Sequence, residues 1–140
     1  MPAVQKAAIA TAAVFVVLGV LGFIPGVTTN YDRLDWFGPE SEALLLGVFQ
    51  VSILHNLVHL GFGLLGVAAA RAIGSSRVYL IGGGALYAVL WLYGFVVDKD
   101  SEANFVPLNA ADDWLHLFPA VVMVGLGLAL TDRRRGDVRR

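Results

Sequence analysis

Four stretches of this chain stay apolar for about as long as a helix needs to cross a hydrocarbon core, roughly 20 residues for about 30 Å, and this limits the fold more than any other feature. They are AAIATAAVFVVLGVLGFIP at residues 7–25, a longer run at 43–70, VYLIGGGALYAVLWLYGFVV at 78–97, and a run over 110–130 that contains WLHLFPAVVMVGLGLAL. Inside lipid only a helix or a closed barrel satisfies the backbone, and unbroken apolar runs of this length read as helices. The expected fold class is all-α: a four-transmembrane-helix bundle forming a single membrane domain over residues 1–130, with a basic cytoplasmic tail at 131–140. Composition agrees, since 57% of the residues are hydrophobic and only 15% charged. With no cysteine, neither a disulfide framework nor a thiolate metal site is available, and a net charge of -1 offers no nucleic-acid surface. The expected surroundings are the lipid bilayer, together with a membrane-protein partner or further copies of the chain.

The second run is longer than a crossing requires. Its first turns, ALLLGVFQ, are expected to tilt or to lie at the interface, with Ser41 after Pro39 as the helix N-cap. The first run follows Lys6 as a signal peptide would, yet it is long and no small-residue cleavage site comes after it, so a retained helix is expected.

Charge then orients the spans. Lys6, Arg71, Arg77, Arg133, Arg134, Arg135, Arg139 and Arg140, eight of the ten basic residues, fall on one side of the four-span arrangement. By the positive-inside rule both N and C termini and the short loop RAIGSSR are cytoplasmic, in a multi-pass protein of the cell (inner) membrane. The two longer loops then face outward and hold nine of the eleven acids.

The chain also resembles itself. GVLGFIPG after the first span is similar to LYGFVVD after the third, an offset of 72 residues from Gly22 to Gly94, and HNLVHLGFG aligns with DDWLHLFPA, an offset of 57 from His59 to His116. Each half returns to the side it started from, so the pattern suggests two parallel helix-pair repeats about an axis along the membrane normal. In this alignment His59 corresponds to His116 and His55 to Asp112. Both pairs are spaced i, i+4 and therefore share a helix face. Ser52, His55, Asn56, His59, Gly63 and Gly66 make one polar and small stripe; Asp112 or Asp113, His116, Ala120, Met123 and Gly127 make the other. Such a stripe belongs inside a bundle, with the aliphatic face toward lipid.

The four-span layout, His55-Asn56-x-x-His59-Leu60-x-x-Gly63 and Asn109-x-x-Asp112-x-x-Leu115-His116 resemble a bacterial integral-membrane family catalogued as domain of unknown function 4383. The resemblance runs from about Lys6 to Leu130 and omits the arginine tail. It implies the fold and a membrane location but no activity.

Three readings of the polar stripe remain open. In the first, the protein is structural or partner-binding: Ser52, Asn56, Asn109 and Asp113 join the histidines in a hydrogen-bonded network that fixes helix packing. In the second, His55, His59, Asp112 and His116 bind a divalent metal, three imidazoles and a carboxylate suiting zinc, iron(II) or copper(II). In the third, His59 and His116 are axial ligands to haem, although only Arg33 and Lys99 lie outside to pair with propionates, or the polar residues form a proton or ion path. Asp112 and Asp113 also suit the first turn of a helix capped by Asn109. Trp36, Trp91, Trp114, Tyr31, Tyr87 and Tyr93 fit an aromatic belt, and the segment from Tyr31 to Trp36 is placed to cover the bundle mouth. The middle Glu of H-E-x-x-H is missing, and no Ser-His-Asp arrangement, phosphate loop or nucleotide fingerprint is present, so an enzyme is not the first reading.

Overall fold

The structure, a computed structural model, describes residues 1–132; the expected cytoplasmic tail from Arg133 onward lies outside them. Four helices dominate: α1 (Ala3–Leu21), α2 (Ile53–Ala69), α3 (Ile73–Val96) and α4 (Ala110–Asp132). Three of them, α1, α3 and α4, are long and apolar enough to cross a membrane, and α2 is a shorter apolar helix.

Helix ends follow local chemistry. α1 starts after Pro2 and stops at Gly22, three residues before Pro25. The turn between α2 and α3 is closed by side chains: Gln5 Nε2 donates to Ala70 O at 2.8 Å, and the Ser75 hydroxyl donates to Ala69 O at 2.6 Å. Orphan carbonyls at the end of α2 thereby gain partners.

The segment 43–51 departs from expectation. It is not the first part of a helix running 43–70 but a hairpin of β2 (Ala43–Leu45) and β3 (Phe49–Val51), joined by β1 (Thr28–Thr29) into an antiparallel sheet of order β1-β2-β3. Leu46 (φ 54°) and Gly47 (φ 70°) turn the chain through left-handed backbone, which no helix contains. Ala43, Leu45 and Val51 face inward and pack on Leu18 and Leu21 of α1, so the sheet sits over one end of the bundle. An apolar run that alternates inward and outward satisfies this packing as well as a helix would, which is why hydrophobicity alone misassigned it.

Ser41 is correspondingly not a helix cap. Its hydroxyl donates to Val51 O at 2.7 Å and accepts from Asp35 N at 3.0 Å, fastening the loop to β3. Ser52 caps α2 instead, accepting from His55 N at 3.0 Å, while the backbone N–H groups of Ile53 and Leu54 donate to Asp35 O and Trp36 O. Asp35 and Trp36 therefore lie at the N-terminus of α2. A short 3-10 turn, Tyr31–Arg33, leads into them, and Arg33 pairs with Glu42 at the surface.

The helices associate as two pairs, α1 with α2 and α3 with α4, and the pairs meet more loosely. Their common core is formed by Phe15, Tyr79, Leu80, Tyr87, Ala120 and Met123. Tyr87 is buried there, not part of an aromatic belt as its place in the sequence had suggested.

Candidate metal centre

The polar stripes meet where the pairs meet. Ser52, His55, Asn56, His59, Gly63 and Gly66 are all buried on α2, and Asp112, Asp113, His116, Ala120, Met123 and Gly127 on α4. Leu57 and Leu64 of α2 face outward.

His55, His59 and His116 converge. One imidazole nitrogen of each lies within 4.8 Å of those of the other two, and the residues are only 2%, 5% and 4% exposed. The His55 and His59 rings meet edge to face at 4.6 Å, an i, i+4 contact that the first two turns of α2 impose. All three Nδ1 atoms are buried without a hydrogen-bond partner. The backbone of Gln50 and Pro107 faces His55, so the sheet and the second long loop close that side.

Aromatic rings hold the imidazoles in place. Phe15 lies against His59 with centroids 5.8 Å apart, Tyr87 lies against His116 at 5.2 Å, and Phe15 and Tyr87 stack on each other at 5.1 Å. Sequence reasoning missed both residues. The signal was present, because Phe15 and Tyr87 are separated by the same 72 residues as Gly22 and Gly94.

These contacts are one arrangement made twice. A Cβ added to Gly22 would fall on Asn56 Oδ1, and one added to Gly94 on Asp113 Oδ1, so each glycine admits the side chain of its partner helix. A Cβ on Gly63 would come within 2.8 Å of Ala12 O, and one on Gly84 within 3.0 Å of Ala120 O, the same close approach with the small residues exchanged. Ser52 caps α2 by accepting from His55 N, just as Asn109 caps α4 by accepting from Asp112 N at 2.9 Å. All of these pairs obey the offsets of 72 and 57 residues.

The duplication breaks at Asp112. It is buried, but it does not join the three histidines. Its Oδ2 accepts from Asn109 N at 2.9 Å, closing a reciprocal capping box, and from Gln50 N at 3.1 Å, tying β3 to the start of α4. Asn109 adds a second tie, its amide donating to Val48 O at 2.8 Å. A short carboxylate in the first helical turn is drawn to nearby backbone donors, whereas the longer imidazole of His55 reaches inward. Asp113 is likewise apart from the trio: its Oδ2 receives Lys99 Nζ at 2.7 Å, and its Oδ1 faces Gly94 without a partner. Asn56 has no hydrogen-bond partner at either amide atom.

The arrangement can therefore present three neutral imidazoles to one small cation, with no carboxylate among them. No curated protein and no solved structure matches the chain. The sequence model of one family, described as Domain of unknown function (DUF4383), matches residues 5–129. Since that covers most of the chain, the protein belongs to the DUF4383 family, whose described function is unknown.

Proposed function

We propose that this is a multi-pass membrane protein that binds a divalent transition-metal ion through His55, His59 and His116. One observation carries the reading: three buried imidazoles, each with an unpartnered Nδ1, bring one ring nitrogen apiece within 4.8 Å of one another. A buried polar atom without a partner costs about 1–3 kcal/mol, and a shared ion would offset that cost at each nitrogen it binds. Zinc–nitrogen bonds of about 2.0–2.1 Å put ligand nitrogens roughly 3.3 Å apart, so each ring need move by less than about 1 Å to close on the ion. Three imidazoles suit zinc, copper(II) or iron(II) and leave at least one coordination position free.

The competing readings have less support. A network that only fixed packing would have its polar atoms bonded to one another, yet the Nδ1 atoms and the Asn56 amide have no such partner. A haem ring between His59 and His116 would have to spread past His55 on one side and the stacked Phe15 and Tyr87 on the other.

Elemental analysis and a visible absorption spectrum of the purified full chain test this. About one divalent ion per chain and no haem absorption are expected. Protein that neither contains nor takes up a stoichiometric metal, and in which His59→Ala merely lowers thermal stability, would return the histidines to a packing role.

A further inference from the structure

The three histidines are closed off by protein on the side of the sheet, but not between α1 and α4. There a cavity of about 250 Å³ runs between the two helices. His59, His116, Phe15 and Tyr87 line it together with aliphatic side chains of both helices, and among the described residues no Lys, Arg, Asp or Glu does. Pro119 is part of the same wall. Having no N–H, it leaves the carbonyl of Leu115, another lining residue, without its helical donor.

The repeat supplies a control within the molecule. The offsets that relate α1 to α3 and α2 to α4 carry this cavity onto a second one between α3 and α2, with Phe62 standing where Pro119 stands and Tyr79 where Ala7 stands. The second cavity touches no histidine. Phe62 turns its ring into the core, against Phe15 at 4.8 Å and Tyr79 at 4.9 Å, and so stands between that cavity and the imidazoles. Of the two equivalent clefts, only the one between α1 and α4 reaches the imidazoles.

We infer that the cleft between α1 and α4 is a binding site for a lipid-soluble, uncharged ring compound bearing carbonyl or hydroxyl oxygens, of the quinone or quinol class. The inference deepens the metal reading, because the oxygen would take a coordination position that three imidazoles leave free. Each part of the ligand has a counterpart in the cleft. A phosphate or ammonium head would find no opposite charge among the described lining residues. An uncharged oxygen suits neutral imidazoles, each of which offers one donor and one acceptor, and a flat ring suits the Phe15 and Tyr87 rings beside them. The aliphatic walls suit a tail leading outward between helices whose outer faces are apolar, as the proposed bilayer requires.

The test is binding of radiolabelled decyl-benzoquinone to the full chain in phosphatidylcholine nanodiscs, with metal content measured on the same samples. Saturable binding at one site per chain is expected. Ala10→Phe and Val122→Phe, made separately, narrow the cleft without altering a histidine, and each should weaken binding at least tenfold at unchanged metal content. Gly82→Leu, in the cleft between α2 and α3, should leave binding intact, since a side chain there meets open space. Binding that does not saturate, that ignores both cleft substitutions, or that is weakened equally by Gly82→Leu would overturn the inference. So would equal competition by phosphatidylcholine added in excess, which would make an acyl chain the occupant. Saturable, cleft-sensitive binding to protein that carries no metal would sustain the site while removing the metal reading, with the imidazoles as hydrogen-bond partners.

Discussion

His59 lies between His55 and Phe15, with ring centroids 4.6 and 5.8 Å away, and is the residue whose loss should affect the candidate centre most. Truncating it to alanine removes one ligand of three, and the expected loss of metal affinity exceeds the roughly 10–100-fold typical of outer-shell substitutions. Competition against a chelator of known affinity measures it; an unchanged affinity would exclude His59 as a ligand. Asp112 gives the complementary result. Its carboxylate receives two backbone N–H groups and stands apart from the trio, so Asp112→Ala should cost about 1–2 kcal/mol of stability, as lost caps do, and leave metal content unchanged. Loss of the ion without loss of stability would restore Asp112 to the ligand set. The two substitutions separate binding from folding because α4 uses its first-turn acid as a cap, while α2 caps with Ser52 and keeps His55 for the interior.

Among the elements, the closest approaches occur within each helix pair. Gly22 admits the Asn56 side chain and Gly94 that of Asp113, and a methyl at either position collides with the oxygen it faces. Gly22→Ala and Gly94→Ala are each expected to destabilise the fold by about 1–3 kcal/mol, the usual cost of overpacking. If the collision is the cause, Asn56→Ala should recover much of the loss in Gly22→Ala, since Asn56 has no hydrogen-bond partner to forfeit. A thermal-unfolding double-mutant cycle in detergent decides it, and strictly additive effects would mean that the two residues do not interact. The pairing has a further consequence for the site. Each pair is held tightly by small residues while the pairs meet through Phe15, Tyr87 and the imidazoles, so modest ring movements at that seam need not disturb either pair.

At the scale of the whole molecule, the proposed orientation puts residues 70–72 at the cytoplasmic surface and the sheet outside. A cysteine introduced at Ser75 should react with an impermeant thiol reagent only from the cytoplasm, and one at Ser101 only from outside; the reverse pattern would overturn the orientation. The helices, their grouping in two pairs and the repeat offsets were legible from sequence because each rests on a local or periodic signal. Apolar length marks spans, i, i+4 spacing marks a face, and the offsets of 72 and 57 residues carry Gly22 onto Gly94 and His59 onto His116. Three things were decided only in the folded chain. Residues 43–51 became strands because Leu18 and Leu21 of α1 offer an apolar platform from a distant part of the sequence. Asp112 stands apart from the three histidines because Gln50 N, a donor 62 residues away, was brought to it. One cleft reaches the imidazoles and its twin does not, because Pro119 has no aromatic ring to turn inward where Phe62 does, a difference that matters only once four helices surround the same space. Spacing along one helix determines which residues can meet, but which of them do meet depends on packing between helices, where long-range contacts compete for the same donors and the same volume.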